Sequence, residues 1–404
     1  MIQANAYQDQ LAEIREKFTG LHHFLKRSDY KGWEYDDLLA SRFVSASTFS
    51  SLWLKIIAVQ LAKRSPFNLR PMLGVPKLHS TKAFGFIAKG YMLHDIAVSE
   101  SNYSDEIERA LDWLLANDSK GYSGRCWGND FDFASRAGYF PKSLPTIVWT
   151  AHIQESFYLA YQHTGNEKYK EVVLSVAEFI LNDLERIEGE NGFCFAYAPG
   201  ILFPIHNSNL LGVAALARAY KLTGEERYLS PAAEACNWSV TRQNDDGSWY
   251  YGDKKMLHWI DNYHTGYNLD CMHTCHLIAG DDIVGMDVIQ RTYDYWVKNL
   301  FDSNMAPRFY DNESFPRDIQ ATAQAIESFC KYSIVDPTAL DKAIEVFRWA
   351  NENMLKSNGS YAYRLYRNGK RNDLEAIHWG QSTMLSAMGH LLYYCATKNQ
   401  KVKQ

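Results

Sequence analysis

In Trp259-Ile260-Asp261-Asn262-Tyr263-His264-Thr265-Gly266-Tyr267, a carboxylate and an imidazole stand three residues apart. In the first turn of a helix that spacing sets both side chains on one side. An Asp–His pair so placed can give or take a proton near neutral pH. Asp261 and His264 are therefore the candidate acid/base centre. A second cluster is Pro204-Ile205-His206-Asn207-Ser208-Asn209. Its Asn and Ser residues suit a helix N-cap, and His206, just ahead of the cap, is expected to point inward and assist the acid/base pair, with Asn207 and Asn209 as substrate-binding candidates. The stretch Arg125 to Arg136 packs Trp127, Asp130, Asp132 and two guanidinium groups into twelve residues. There Asp132 is a candidate to assist the acid/base pair, Trp127 a candidate sugar contact, and Arg136 the natural partner of an anionic substrate group.

Three further segments carry binding candidates. Gln243-Asn244-Asp245-Asp246-Gly247-Ser248-Trp249 reads first as a turn whose Trp249 packs on a helix end. Phe315-Pro316-Arg317-Asp318 places Pro316 at a first helical position and offers Asp318 and Gln324 to a binding site. His378-Trp379-Gly380-Gln381 supplies an indole platform, Trp379, with an amide donor, Gln381. Cys271, His273, Cys275 and His276 have the residue types of a metal site, but within one helix they do not share a face. The sequence has no Gly-x-Gly-x-x-Gly, no Walker loop and no Gly-x-Ser-x-Gly. We therefore expect no metal and no cofactor.

These residues need a scaffold, and helical periodicity dominates the chain. Thr164-Gly165-Asn166-Glu167-Lys168-Tyr169 recurs as Thr223-Gly224-Glu225-Glu226-Arg227-Tyr228. In each, Gly closes one helix in the left-handed region and acidic residues open the next. A recurrence of helical hairpins signals a stacked array. Helices are expected near 7–27, then in pairs near 47–64/79–95, 103–117/145–163, 166–187/207–222, 225–241/262–278, 281–301/316–332 and 336–354/376–396. Six hairpins can close into a ring. The expected fold is thus an all-α (α/α)6 toroid with an extra N-terminal helix. It is read as one domain over 1–404, with 1–46 as an N-terminal helical extension. The long loops 118–144, 188–206, 242–261, 302–315 and 355–375 would gather at one mouth, where long loops are usually functional.

Composition narrows the partners. Aromatic residues make up 14% of the 404 residues, enough to line a ligand pocket as well as a core. The formal net charge is -5 and there is no basic stripe, which argues against a nucleic-acid partner. Lys63-Arg64 and the tail from Lys398 to Lys403 read as solvated ends. No apolar run approaches a membrane span, and no signal-peptide pattern is visible. Seven cysteines in apolar helical stretches fit reduced thiols and a cytoplasmic location.

Lys63 to Pro71, Cys126 to Asp132, Pro145 to Val148, His206 to Gly212, Asp246 to Trp249 and Asp261 to Gly266 together carry a resemblance over almost the whole length. The chain resembles a prokaryotic family associated with surface-polysaccharide gene clusters. Some of its members carry an aminolevulinate dehydratase label, which would imply a (β/α)8 barrel that this helical pattern does not support. More distantly it is similar to six-hairpin glycosidases, to terpenoid-cyclase toroids and to N-acylglucosamine epimerases. The last comparison implies funnel histidines, for which His206 and His264 qualify. The resemblance implies a carbohydrate-active enzyme of surface-polysaccharide assembly or modification. It would act on a saccharide or glycan by hydrolysis, elimination or epimerisation. Two other readings stand beside it: a non-catalytic glycan-binding or scaffold protein, and a terpenoid-cyclase-like enzyme. The Asp-x-Asp-Asp run of the last is absent.

Overall fold

The computed structural model describes residues 7–48, 51–65, 67–99, 102–135 and 138–403. Among these lie fourteen α-helices: α1 (Gln8–Arg27), α2 (Arg42–Thr48), α3 (Leu52–Arg64), α4 (Thr81–Val98), α5 (Ser104–Ala116), α6 (Ile147–Thr164), α7 (Glu167–Asp183), α8 (His206–Thr223), α9 (Glu226–Val240), α10 (Asn262–Ala279), α11 (Met286–Asn299), α12 (Ile319–Tyr332), α13 (Ala339–Asn353) and α14 (Ser382–Lys403). The repeat marks its boundaries as expected. Gly165 (φ 67°) and Gly224 (φ 71°) end α6 and α8 in the left-handed conformation, which glycine adopts without a Cβ penalty.

Helices α4, α6, α8, α10, α12 and α14 pack each on the next, and α14 returns to α4. They form the inner wall of an (α/α)6 toroid, in agreement with the sequence reading. On α4 every residue from Thr81 to Asp95 is buried, as befits a helix covered on all sides. Ring closure at α4–α14 depends on two glycines. A Cβ on Gly389 would lie 2.6 Å from the Gly90 carbonyl oxygen, and one on Gly90 would lie 2.9 Å from that of Leu385.

The outer helices are α5, α7, α9, α11 and α13, each against its preceding inner helix, with α1 against α14. This differs from the expected pairing, which set 47–64 beside 79–95. Helix α1 presents Ile14, Phe18, Leu21 and Leu25 on one face, all buried, and each such side chain is worth roughly 1.5–3 kcal/mol. That stripe makes α1 the twelfth member of the double ring. Helix α3 instead sits over the mouth, in a small separate core of Leu38, Leu39, Val44, Ile56, Val59, Ala62, Val75 and Ala134.

The mouth loops contain short strands that the sequence pattern did not reveal. These are β1 (Phe133–Ser135) with β2 (Gly138–Phe140), β3 (Arg186–Gly189) with β4 (Gly192–Phe195), and a sheet of β5 (Arg317–Asp318), β6 (Arg364–Leu365) and β7 (Arg371–Asn372). All pairs are antiparallel. At two to four residues each, they are too short for alternation to register. Pro316 belongs to this region and not to a helix start. It follows a cis peptide bond just before β5, and Asp318 caps α12 instead.

Midway along the lumen, charged side chains from several inner helices meet. Lys89 (α4) bonds Glu155 (α6) at 3.0 Å and Glu327 (α12) at 2.9 Å. Lys331 (α12) reaches Glu327 at 2.7 Å, Glu155 at 3.2 Å and Asp270 (α10) at 3.3 Å. Arg218 (α8) lies 3.6 Å from Glu155, and His390 (α14) 3.6 Å from Glu327. Three carboxylates thus face two lysines and an arginine, a pairing that makes buried charge tolerable. Burial raises the Glu327 carboxyl, but His390, Lys331 and Lys89 together outweigh that and hold it well below the usual range. This cluster floors the funnel. Replacing Glu327 with Ala leaves Lys89 and Lys331 undercompensated. Urea denaturation is expected to show a loss of about 3–5 kcal/mol; a loss under about 1 kcal/mol would mean the cluster is not structural.

Candidate active site

All six inner helices begin at the same end, so their unpaired first N–H groups converge on the mouth. One device serves four of them and also the turn Ile377–Gln381 that leads into α14. Ile147 N donates to the Tyr197 carbonyl, His206 N to Tyr251, Asn262 N to Phe309, Ile319 N to Tyr363 and Ile377 N to Trp33. For α4, Thr81 N donates to the Asp130 carboxylate. Each loop is thereby pinned to a neighbouring helix start, and the pinning residue is aromatic in all five backbone cases.

Two of those residues, Tyr197 and Tyr251, join an aromatic belt around the mouth. Trp259 stacks on Tyr251 at 4.6 Å, and Tyr251 meets His264 at 4.4 Å. His264 touches Tyr263 at 4.1 Å, and Tyr263 lies 6.4 Å from Tyr267. The belt continues from Tyr267 to His152 (4.9 Å) and Trp379 (6.4 Å), from Trp379 to Trp149 (6.4 Å), and through Phe133, Phe140 and Tyr197. Burial pushes the Tyr197, Tyr251 and Tyr263 hydroxyls far up, yet each ring keeps accessible surface. Deep position with retained surface is the mark of a concave wall.

Asp261 and His264 are brought together as their spacing implied. Asp261 Oδ1 accepts from His264 N at 3.0 Å and so caps α10. Its Oδ2 lies 2.7 Å from His264 Nδ1 and accepts from Trp259 Nε1 at 3.0 Å. Carboxylate oxygens accept hydrogen bonds, so in this contact Nδ1 is the donor and Nε2 is the nitrogen left over. Among the described residues Nε2 has no partner, and the side chain keeps 18% of its surface.

Deeper in the mouth lie groups that sequence reasoning passed over. Lys82 is fully buried between the faces of Trp149 and Trp379, with Nζ 3.4 Å and 3.2 Å from the ring centres and no hydrogen-bond partner. Burial pulls its ammonium well below the usual range, with Glu34 and Asp36 opposing. Neither ring nitrogen of His152 has a partner; burial first, then Lys89, lowers it to about 3. His378 stands beside Ser80 Oγ at 2.9 Å and Glu34 Oε2 at 3.2 Å. It lies in a widened turn, Ile377–Gln381, in which Trp379 leaves helical dihedrals, a distortion common at functional sites. One signal was available. Lys82, Phe86 and Lys89 are spaced i, i+4, i+7 in a helix otherwise nearly apolar, so both lysines face the lumen.

The other expected site residues divide. Trp379 lines the lumen. Gln324 also faces inward but is held by Asp270 (3.0 Å) and Ser328 (2.9 Å). Asn207 is buried with Oδ1 unpartnered. Asp318 caps α12 and pairs with Arg364 at 2.7 Å. His206 is not brought to His264. It turns outward onto Trp238 (5.0 Å) and Ser239 (3.3 Å) of α9. Asn209 holds the same seam, through Phe195 N and the Ala235 carbonyl. Asp132 accepts from Tyr139 and Lys142 N and shapes the β1–β2 hairpin. Trp127 donates to the Leu114 carbonyl, Trp249 to that of Ser239, and Gln381 clamps both backbone groups of Tyr361. Arg136 lies outside the described residues. Cys271 and Cys275 are buried free thiols, His276 bonds the Val284 carbonyl, and no group of three metal-ligating side chains converges among the described residues.

No family model matches the sequence, and no curated protein matches it. Solved structures do match in fold. A sugar epimerase from a ruminal bacterium superimposes with a TM-score of 0.67 at 12% identity, covering 96% of this chain and 99% of its own. Cellobiose 2-epimerase from Bacillus thermoamylovorans gives 0.62 at 11%, covering 81% and 90%. A family 76 α-mannanase from Bacteroides thetaiotaomicron gives 0.60 at 15%, covering 80% and 88%. The chain has the toroid fold of these enzymes.

His206 supports a pH prediction. Burial, then Arg242 and His258, lowers it to about 3, against about 6.5 unfolded. The unfolded chain therefore binds the extra proton. The His206 contribution is complete above pH 6.5 and is lost as pH falls toward 3. Between about pH 6 and 4 the wild type should lose about 1.4 kcal/mol per pH unit more than His206→Phe. Parallel stability curves, measured by denaturant titration, would contradict this placement.

Proposed function

We propose that the chain is a saccharide epimerase or isomerase working by proton transfer at a carbon next to a carbonyl, in the setting of surface-polysaccharide assembly or modification in the cytoplasm. One observation carries this reading: His264, oriented by Asp261 and with Nε2 free, stands in an aromatic belt at the mouth. The dyad supplies the base. The high-lying phenols of Tyr263 and Tyr267 stay protonated and can donate to the sugar oxygen as charge develops. Six converging helix N-termini favour an anionic, enediolate-like state. The belt suits a sugar ring stacked on indole and phenol faces.

Hydrolysis fits these groups less well. It needs two carboxyl groups free to act across the glycosidic bond. The lumenal Glu155, Asp270 and Glu327 are locked among cations, while Asp261 and Asp318 are engaged as caps.

Incubating the protein in D2O with reducing disaccharides and uronates, followed by NMR, separates the two. Proton transfer places deuterium at the epimerised carbon. Cleavage without exchange would indicate a hydrolase, and a bound sugar with neither change would indicate a glycan-binding protein. His264→Gln is expected to lower kcat by about 10²–10⁴ with the melting temperature kept. Asp261→Asn should lower kcat by about 10–10⁴ while KM changes little, because it loses the imidazole tautomer and not the binding surface. Wild-type turnover in both variants would remove the dyad from the mechanism.

A further inference from the structure

We propose that α2 and α3 form a docking element that seats the barrel mouth on an anionic lipid bilayer. Helix α3 has two apolar faces. Ile56, Val59 and Ala62 enter the small core over the mouth. Trp53, Ile57 and Leu61, at i, i+4 and i+8, point away from it and are 72%, 52% and 68% exposed. Phe43, Phe67 and Met72, on the segments flanking α3, are also 73% exposed or more. An outer helix of a soluble barrel carries polar residues on such a face, and apolar residues clustered in one exposed patch mark an interaction surface.

Charge chooses the occupant. From Leu38 to His94 the sequence has eight Lys and Arg residues and no Asp or Glu, in a chain whose net charge is -5. Arg70, Lys82 and Lys89 are buried. Arg42, Lys55, Lys63 and Lys77 are at least partly exposed. Among the described residues only Lys63 of these four meets a carboxylate, Asp36 at 3.6 Å. Apolar bulk with tryptophan and a basic rim is the composition of an interfacial helix on anionic headgroups. A second copy of the chain fits poorly, because a two-fold contact would set this basic surface against itself.

The element lies at the mouth. Lys63 sits 4.3 Å over the Tyr35 ring, Tyr35 stacks on Tyr363 at 5.1 Å, and the Tyr363 carbonyl receives the first N–H of α12. Lys55 covers Tyr139 of the β1–β2 hairpin at 4.1 Å. A docked barrel therefore opens toward the headgroups. A lipid-anchored saccharide would then be the substrate class, a consequence that rests on the proposed sugar chemistry; the docking itself does not.

The test is co-sedimentation of the full chain with phosphatidylcholine vesicles and with about equal phosphatidylcholine and phosphatidylglycerol. The wild type should pellet with the mixed vesicles, less so as salt rises. Trp53→Glu with Leu61→Glu should reduce binding at least about tenfold with an unchanged melting curve, since the inner face of α3 is untouched. Trp53→Ser alone is the milder second arm and should reduce it in the same direction. Failure of the wild type to pellet, or binding indifferent to these variants, overturns the proposal. So does a wild-type dimer that ignores vesicles and that the double variant makes monomeric in light scattering, which would assign the face to a second copy.

Discussion

Six helices that start side by side present six sets of unpaired N–H groups to one small space, and every other feature of the mouth follows from satisfying them. The chain meets this demand with carbonyl oxygens of the following loops, at Tyr197, Tyr251, Phe309, Tyr363 and Trp33. Each bond fixes a loop backbone against the start of the neighbouring inner helix, and at Tyr197 and Tyr251 it also holds a ring of the belt where the lumen opens. Helix termination, loop placement and the aromatic lining are one solution to one electrostatic problem. The same convergence leaves positive potential at the mouth. That is why carboxylates gather there as caps, Asp261 and Asp318 among them.

Below the mouth the inner wall is organised in layers by helical spacing. Tyr263, Tyr267 and Asp270 on α10, and Gln320, Gln324 and Glu327 on α12, follow i, i+4, i+7. The upper layers are aromatic or amide and the third is ionic, closed by Lys89, Lys331 and Arg218. The charges of this floor are satisfied by one another. His264, His152, His378 and Lys82 are among the lumenal titratable groups that make no ion pair with that floor.

Much of the fold was legible, because Thr-Gly helix ends and long polar loops recur at a helical-hairpin period. The role of α1 was not, since its stripe looks the same whether it leads the ring or completes it. The Asp261–His264 pair was legible because both residues belong to one first turn. His206 was misjudged by a single position. It is the first residue of α8, as Asn262 is of α10. Both point outward, His206 to Trp238 and Asn262 to Trp296, because each residue turns a helix by about 100°. Asn207 and Tyr263, one residue on, face in. His152 was hidden because it lies inside the long buried helix α6, where a polar residue reads first as an interruption.

The central claim is that a saccharide binds inside this belt with its reacting carbon at His264. A crystal structure with a non-exchanging substrate analogue tests it directly. The sugar ring should lie against Trp379 or Tyr263, with the acidic carbon or its hydroxyl within hydrogen-bond reach of His264 Nε2. A sugar bound instead in the outer cleft of about 430 Å³ beside Asp246, Asp294 and Tyr295, with the mouth empty, would contradict it.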